Sequence, residues 1–261
     1  MSYSLDGVDI STWGAYPYIE RTKECIALSG VFDLPKRIGT TEYNWGTSIE
    51  PFVDKEDIQL DGRNLILSLV IKSENYNNQL EKLKSACIKC RKLGTPFGSF
   101  DVVLKDELDV EEYIALNMAI ITIKFWQQNY TPVDITVKPT GGNSYTIDGY
   151  SFAEDFGIYV ASRSGVKSLG KRIEISTTVP YKRSEYREIS DMVLNCKMYS
   201  DSMIDLHKRI SEFSALCISP GIRNVKLLDN ERLKVYFKDG ITAKLRTSHI
   251  LEFDLKCKLL P

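Results

Sequence analysis

A surplus of either charge is missing from this sequence. Thirty-four lysines and arginines stand against 35 aspartates and glutamates, a formal net charge of -1 over 261 residues. Bulk electrostatics therefore draw the chain neither to nucleic acid nor to an anionic surface. No run of 18 apolar residues occurs, and the opening Met-Ser-Tyr-Ser-Leu-Asp-Gly has no basic stretch leading into an apolar one, so neither a membrane span nor a secretory leader is expected. Histidine is scarce. His207 and His249 have no motif partner and no Gly-x-Ser-x-Gly element is present, which argues against hydrolysis and leaves these rings surface or capping roles. Six cysteines lie mostly in apolar-patterned segments, where a free thiol acts as a small hydrophobe, and a reducing compartment suits them. With 43% hydrophobic and 26% charged residues, the chain is globular and long enough for one large domain or two of about 130 residues.

Three motifs come close to known chemistry and stop short. Residues 165–172, GVKSLGKR, nearly match the phosphate-loop pattern, but Arg172 stands where a Ser or Thr would hold magnesium, and the β-patterned residues that follow offer no helix N-terminus. A turn between strands is expected there. Cys87 and Cys90 form a C-x-x-C that falls inside a helical stripe instead of at a helix start, and no second pair supplies the remaining ligands of a zinc site. The acidic groups at residues 54–57 and 106–112 lack calcium-loop spacing and read as solvated loops; the alternative is that in a ring assembly they line a channel or meet the basic KSLGKR and PYKR stretches of a neighbouring chain.

What is present is a repeat. Residues 2–19 and 144–160 share Ser-Tyr, an apolar residue, Asp-Gly and a following Gly in nearly one register. Next, VFDLPKRIGTTEYNW (31–45) parallels TTVPYKRSEYREIS (177–190). Apolar runs at 65–75 and 192–202 read as buried strands leading into helices. Their stripes are Leu80, Leu83, Cys87, Cys90 and Met203, Leu206, Ile210, Phe213. Gly94 and Pro220-Gly221 are the expected stops, and Asp201 or Ser202 the second N-cap. Alternating strands close each half, at 99–106 and 113–126 and again in the C-terminal segments. The first half carries about 16 additional residues near 46–62, expected as a loop or hairpin arm. The boundary falls in 129–144, with two prolines, a Gly-Gly and one possible short strand at 133–137. The fold class predicted is α+β, as two tandem repeats at 1–128 and 144–261 joined by a linker at 129–143, each a sandwich- or barrel-like sheet pair with one amphipathic helix.

The aromatics of the Pro/Arg loops, Tyr43, Trp45 and Phe52 in the first copy and Tyr181 and Tyr186 with Arg183 in the second, are candidates for an assembly interface, since Tyr, Trp and Arg are enriched at interface hot spots. Packing of a half-buried hairpin is the other reading of these residues.

An apolar-Asp-Gly turn, a Gly-hydrophobic-aromatic strand, a Pro/Arg loop, a buried strand running into one amphipathic helix, and a closing strand pair resemble the N-terminal domain of phage distal tail (Dit-type) proteins. More broadly the pattern is similar to the tail-tube fold of baseplate hubs. The resemblance covers almost the whole chain, once per half, where the distal tail family often carries a carbohydrate-binding-like sandwich in its second part. It implies a structural virion protein made in the bacterial host cytoplasm and placed in the tail. It implies no catalytic residue, cofactor or metal. The partners implied are further copies of the chain, as a trimer with a pseudo-six-fold ring or as a hexamer, together with tail tube and tail tip proteins. Two other classes are weighed: a carbohydrate- or protein-binding module on the virion, and a tail-borne glycan hydrolase needing two convergent carboxylates.

Overall fold

The computed structural model describes residues 2–20, 24–39, 43–44, 49–50, 59–165, 171–174, 183–186 and 190–260. In the first half β1 (Ser4–Leu5) and β2 (Val8–Asp9) form a tight hairpin, followed by β3 (Ala15–Pro17), β4 (Leu28–Ser29), β5 (Tyr43–Asn44), β6 (Ile49–Glu50) and the long β7 (Arg63–Lys72). Helix α1 (Tyr76–Lys89) leads to β8 (Lys92–Thr95), β9 (Gly98–Asp101), β10 (Val103–Leu104), β11 (Asp109–Tyr113) and β12 (Met118–Gln127). The second half runs β13 (Thr146–Ile147), β14 (Tyr150–Ser151), the short α2 (Phe152–Phe156), β15 (Ile158–Ser164), β16 (Lys171–Glu174), β17 (Arg183–Tyr186) and β18 (Ser190–Tyr199). Helix α3 (Met203–Ile218), β19 (Arg223–Lys226), β20 (Arg232–Tyr236), β21 (Ala243–Thr247) and β22 (Ile250–Leu259) complete it. No described helix is long and apolar enough to cross a membrane.

Pairing is antiparallel throughout and runs in the same order in both halves. β1 lies between β2 and β8, and β8 pairs β9; β13 lies between β14 and β19, and β19 pairs β20. β7 lies between β3 and β12, with β11 on the far edge of β12; β18 lies between β15 and β22, with β21 paired to β22. The halves differ where their two sheets meet. Val102 interrupts the first half's bridging strand, leaving β9 and β10 in separate sheets, whereas β20 runs unbroken from β19 to β22 and makes one sheet of eight strands.

Period-two burial explains the long strands. Leu65, Leu67, Leu69 and Ile71 of β7 face inward with Ala119, Ile121, Ile123 and Phe125 of β12, as do Leu251, Phe253, Leu255 and Cys257 of β22. The helices lay one stripe each on these sheets, Tyr76, Leu80, Leu83 and Cys87 from α1 and Leu206, Ile210, Phe213 and Cys217 from α3. Cys87 thus corresponds to Cys217, not to Ile210 as the sequence stripes suggested. One continuous core cluster includes residues of both halves.

The doubled Asp-Gly turn has a structural reason. Asp6 and Asp148 both take positive φ, 48° and 49°, a conformation that Asp tolerates. Each carboxylate then reaches across to the strand after the long helix. Asp6 Oδ1 accepts the N–H groups of Arg91 and Lys92 at 2.9 and 2.8 Å, and Asp148 Oδ1 accepts that of Asn224 at 2.8 Å. A short helical turn follows in each half, capped by Asp9 or Ser151 and ended by a left-handed glycine, Gly14 or Gly157.

Several expectations need correction. α1 stops at Lys89, so Cys90 caps the helix and Gly94 lies within β8, because the Asp6 carboxylate draws Arg91 and Lys92 directly into a strand. The acidic stretch 106–112 is not all loop: residues 109–113 form edge strand β11, with Val110 packed against the core and the carboxylates outward. Residues 133–137 form no strand; Ile135 and Val137 pack on the core without a ladder partner, and the Thr136 hydroxyl donates to Glu212 Oε1 at 2.7 Å. The strand expected over 113–126 begins at Met118, after a 3-10 turn at Ile114–Leu116 closed by Asn117 at φ 48°.

Candidate assembly site

One segment of the first half leaves its own sheet and lies against the second. After β4, Gly30 takes φ 82°, and a Cβ there would sit 2.0 Å from Asn64 O; only glycine lets the chain turn off at this point. Residues on both sides of β4 lie along the second half. Leu34 and Ile241 exchange backbone hydrogen bonds at 2.9 Å each way, the Arg37 N–H donates to Lys238 O at 2.9 Å, and the Cys25 N–H donates to Leu245 O at 3.3 Å. The Ala243 N–H donates to Asp33 Oδ1 at 2.8 Å. Gly240 permits the close approach, since a Cβ there would meet Leu34 O at 2.2 Å. The contact ends on a helix: Arg37 Nη2 donates to Ile218 O at 2.7 Å and Ser219 O at 3.2 Å, capping α3 where the macrodipole favours a cation. We call residues 25–37 the clasp.

Arg63 holds the clasp in shape. Buried at the inward start of β7, its Nε donates to Gln127 Oε1 at 2.7 Å and its Nη1 to the carbonyls of Val31 and Asp33 at 2.8 and 2.9 Å. The guanidinium also lies 4.9 Å from the Tyr130 ring centroid and 5.3 Å from that of Phe100. Burial pushes the Asp33 carboxyl above the usual carboxylate range, against the opposing pull of the Ala243 N–H and the Arg63 charge. His207 of α3 packs its ring between Phe32 and Phe97, with centroids 5.9 and 5.1 Å away. It is therefore not the surface or capping residue expected; burial first, and the Arg63 charge second, lower its pKa to about 4. His249 does sit at an exposed turn, its Nδ1 3.1 Å from Ser200 O. Beside the clasp a cleft of about 280 Å³ opens between Tyr18, Glu24 and Ile26 of the first half and Lys244 and Arg246 of the second.

The candidate interface residues occupy two separate ribbons. Tyr43 is exposed on β5, with its backbone opposite Glu50 of β6. Arg183 and Tyr186 share β17, opposite Glu174 and Lys171 of β16. Trp45, Phe52 and Tyr181 lie outside the described residues, as do residues 54–57 and 166–170. Among the described residues each ribbon is a two-stranded sheet. The base of the first ribbon is tied by hydrogen bonds from the Ile38 N–H to Gln59 O and from the Asp61 N–H to Lys36 O, at 3.0 and 2.9 Å.

No family model and no curated protein matches the chain. A solved structure to which it is similar is the Dit (gp 19.1) protein of SPP1, described as a paradigm of the hub adsorption apparatus in phages infecting Gram-positive bacteria. The identity is 10% over 98% of each chain, and the TM-score is 0.31.

The clasp and Arg63 escaped the sequence reading, although each left a signal. Arg63 is a lone charge opening an apolar run, placed by period two on the inward face. The clasp has a sequence echo hidden by a wrong alignment. β4 pairs Ser29 with Ile66 of β7, and β15 pairs Ser164 with Val193 of β18, which sets Gly30 against Gly165. Both glycines have positive φ, and a Cβ at Gly165 would meet Asp191 O at 2.1 Å just as one at Gly30 meets Asn64 O. The strand register thus sets GVFDLPKR (30–37) against GVKSLGKR (165–172) and not against TTVPYKR.

Proposed function

We propose that this chain is a structural component of a phage tail tip, built as a tandem copy of one tail-tube-like α+β unit at 1–128 and 144–261 with a linker at 129–143, and that copies of it associate head to tail into a ring joining the tail tube to tip proteins. The observation that carries the reading is the junction. Two units with the same pairing order meet through a one-sided contact, the clasp of the first on residues 238–245 of the second. A heterologous contact between like units leaves a clasp unused at one end and a receiving edge unused at the other, and repetition closes it into a ring when the rotation per unit allows. Three chains would present six units to a six-fold tube. The ribbons carrying Tyr43, Arg183 and Tyr186 supply side surfaces for tube and tip proteins, because Tyr and Arg are enriched at interface hot spots. Electron microscopy of purified tails, with an antibody against this chain, is the test. Label at one end of the tube, with three chains per ring, is expected; six chains per ring overturns the trimer, and tails without the chain overturn the assignment.

A further inference from the structure

We propose that the acidic edge at residues 105–112 is the docking surface for the 165–172 segment of a second copy of this chain, which would repeat between chains the clasp contact that joins the halves within one. The inference rests on the tandem-unit reading above and adds to it a surface and a partner segment.

Strand register fixes which residues correspond. β12 and β22 pair equivalently with β7 and β18. Val103 lies opposite Trp126 where Tyr236 lies opposite Lys258, and Val110 lies opposite Ile121 where Ala243 lies opposite Phe253. Residues 105–112, KDELDVEE, are thus the counterpart of 238–245, KDGITAKL, the stretch that receives the clasp.

In the second half that stretch is covered. Ile241, Ala243 and Leu245 are buried, with Ile241 exchanging both backbone hydrogen bonds with Leu34. In the first half it is open: Leu108 and Val110 are half-buried, Glu112 is exposed, and among the described residues Leu108 makes no backbone hydrogen bond. The helix end behaves the same way. Ile218, whose carbonyl Arg37 caps, is 5% exposed, while its stripe counterpart on α1, Ile88, is 65% exposed. Arg172 recurs at the position of Arg37, and within this chain its backbone pairs with Glu185 across a ribbon.

Charge selects the occupant. The open edge has five carboxylates and one lysine, where its covered counterpart has one carboxylate and two lysines. The 165–172 segment has three basic residues and no acid, where the clasp has two basic residues and one acid. The two sequences have diverged from their counterparts in opposite directions, which suits them to each other and makes like edges repel. Glu107 stands where Gly240 admits the clasp backbone, so the contact between chains stands farther off than the inner one.

Self-association of the full chain, measured by sedimentation and light scattering at 50 and 500 mM salt, tests this through charge exchange at the contact. The acceptor variant is Glu107→Lys with Asp109→Lys, both exposed positions, and the segment variant is Lys171→Glu with Arg172→Glu. Each is expected to weaken association at least ~tenfold at low salt, and the chain carrying all four changes, or the two variants mixed, to recover it. Unchanged circular dichroism and melting temperature keep misfolding apart from loss of contact. Association that ignores both reversals, or is not restored by the exchange, overturns this surface while leaving the ring reading to tail microscopy. A chain monomeric at every concentration and salt overturns the docking as a contact between copies.

Discussion

Arg63 shows how one buried side chain organises its surroundings. Its fork satisfies two carbonyls of the clasp and one side-chain amide at once, a geometry that lysine cannot supply. Arg63→Met should therefore destabilise the fold by about 3 kcal/mol and Arg63→Lys by about 2 kcal/mol in urea unfolding, because each leaves buried acceptors without donors. A loss below about 0.5 kcal/mol for the methionine variant would mean that the clasp holds its shape unaided. His207 gives a second residue-scale test. Its folded pKa, about 4, lies below the ordinary histidine value near 6.5, so the folded state resists protonation. Its contribution is complete above pH 6.5 and is lost as pH falls towards 4, by up to about 1.4 kcal/mol per pH unit. Asp33 and Glu24, whose carboxyls burial raises, act with the opposite sign in the acid range. The stability difference between wild type and His207→Gln, followed from pH 7 to 4, isolates the histidine; a difference independent of pH overturns the assignment.

Elements whose cause is local were legible, and those whose cause is distant were not. β7 and α3 announced themselves by uninterrupted period-two and helical stripes. The Asp-Gly turns did so because a left-handed aspartate beside glycine is a local device. β11 did not, because its carboxylates hide the one inward apolar position, Val110, and its strand character comes from pairing with β12. The stretch at 133–137 failed the other way: its alternation is real, but no described edge receives it. The cysteines follow from the elements that hold them. All six are free, and burial drives the thiols of Cys87, Cys90 and Cys196 up to about 12, 11 and 12. Only Cys25 is part-exposed. A thiol reagent at pH 8 should modify one group per native chain, mapped to Cys25, and six after denaturation. Reaction at Cys87 or Cys90 in the native protein would show that the end of α1 opens.

At the scale of the whole molecule, the feature that joins the two halves is not legible in the sequence because its partners are far apart along the chain. Asp33 meets Ala243 across 210 positions. No periodicity encodes such a contact, and the likeness of 165–172 to 30–37 emerges only from the strand register that sets Gly165 against Gly30. That contact sets how the molecule unfolds. A core continuous across both halves and a clasp bonded at Leu34, Asp33 and Arg37 couple the two units, so neither loses its packing without exposing the other. The intact chain should unfold in one calorimetric transition, with calorimetric and van't Hoff enthalpies equal. Leu34→Pro removes the N–H donated to Ile241 and should split that transition in two, the first half melting at the lower temperature because the clasp is its own segment. Two separated transitions in the wild-type chain would mean that the halves are independent domains, and the clasp would then be a contact without energetic weight.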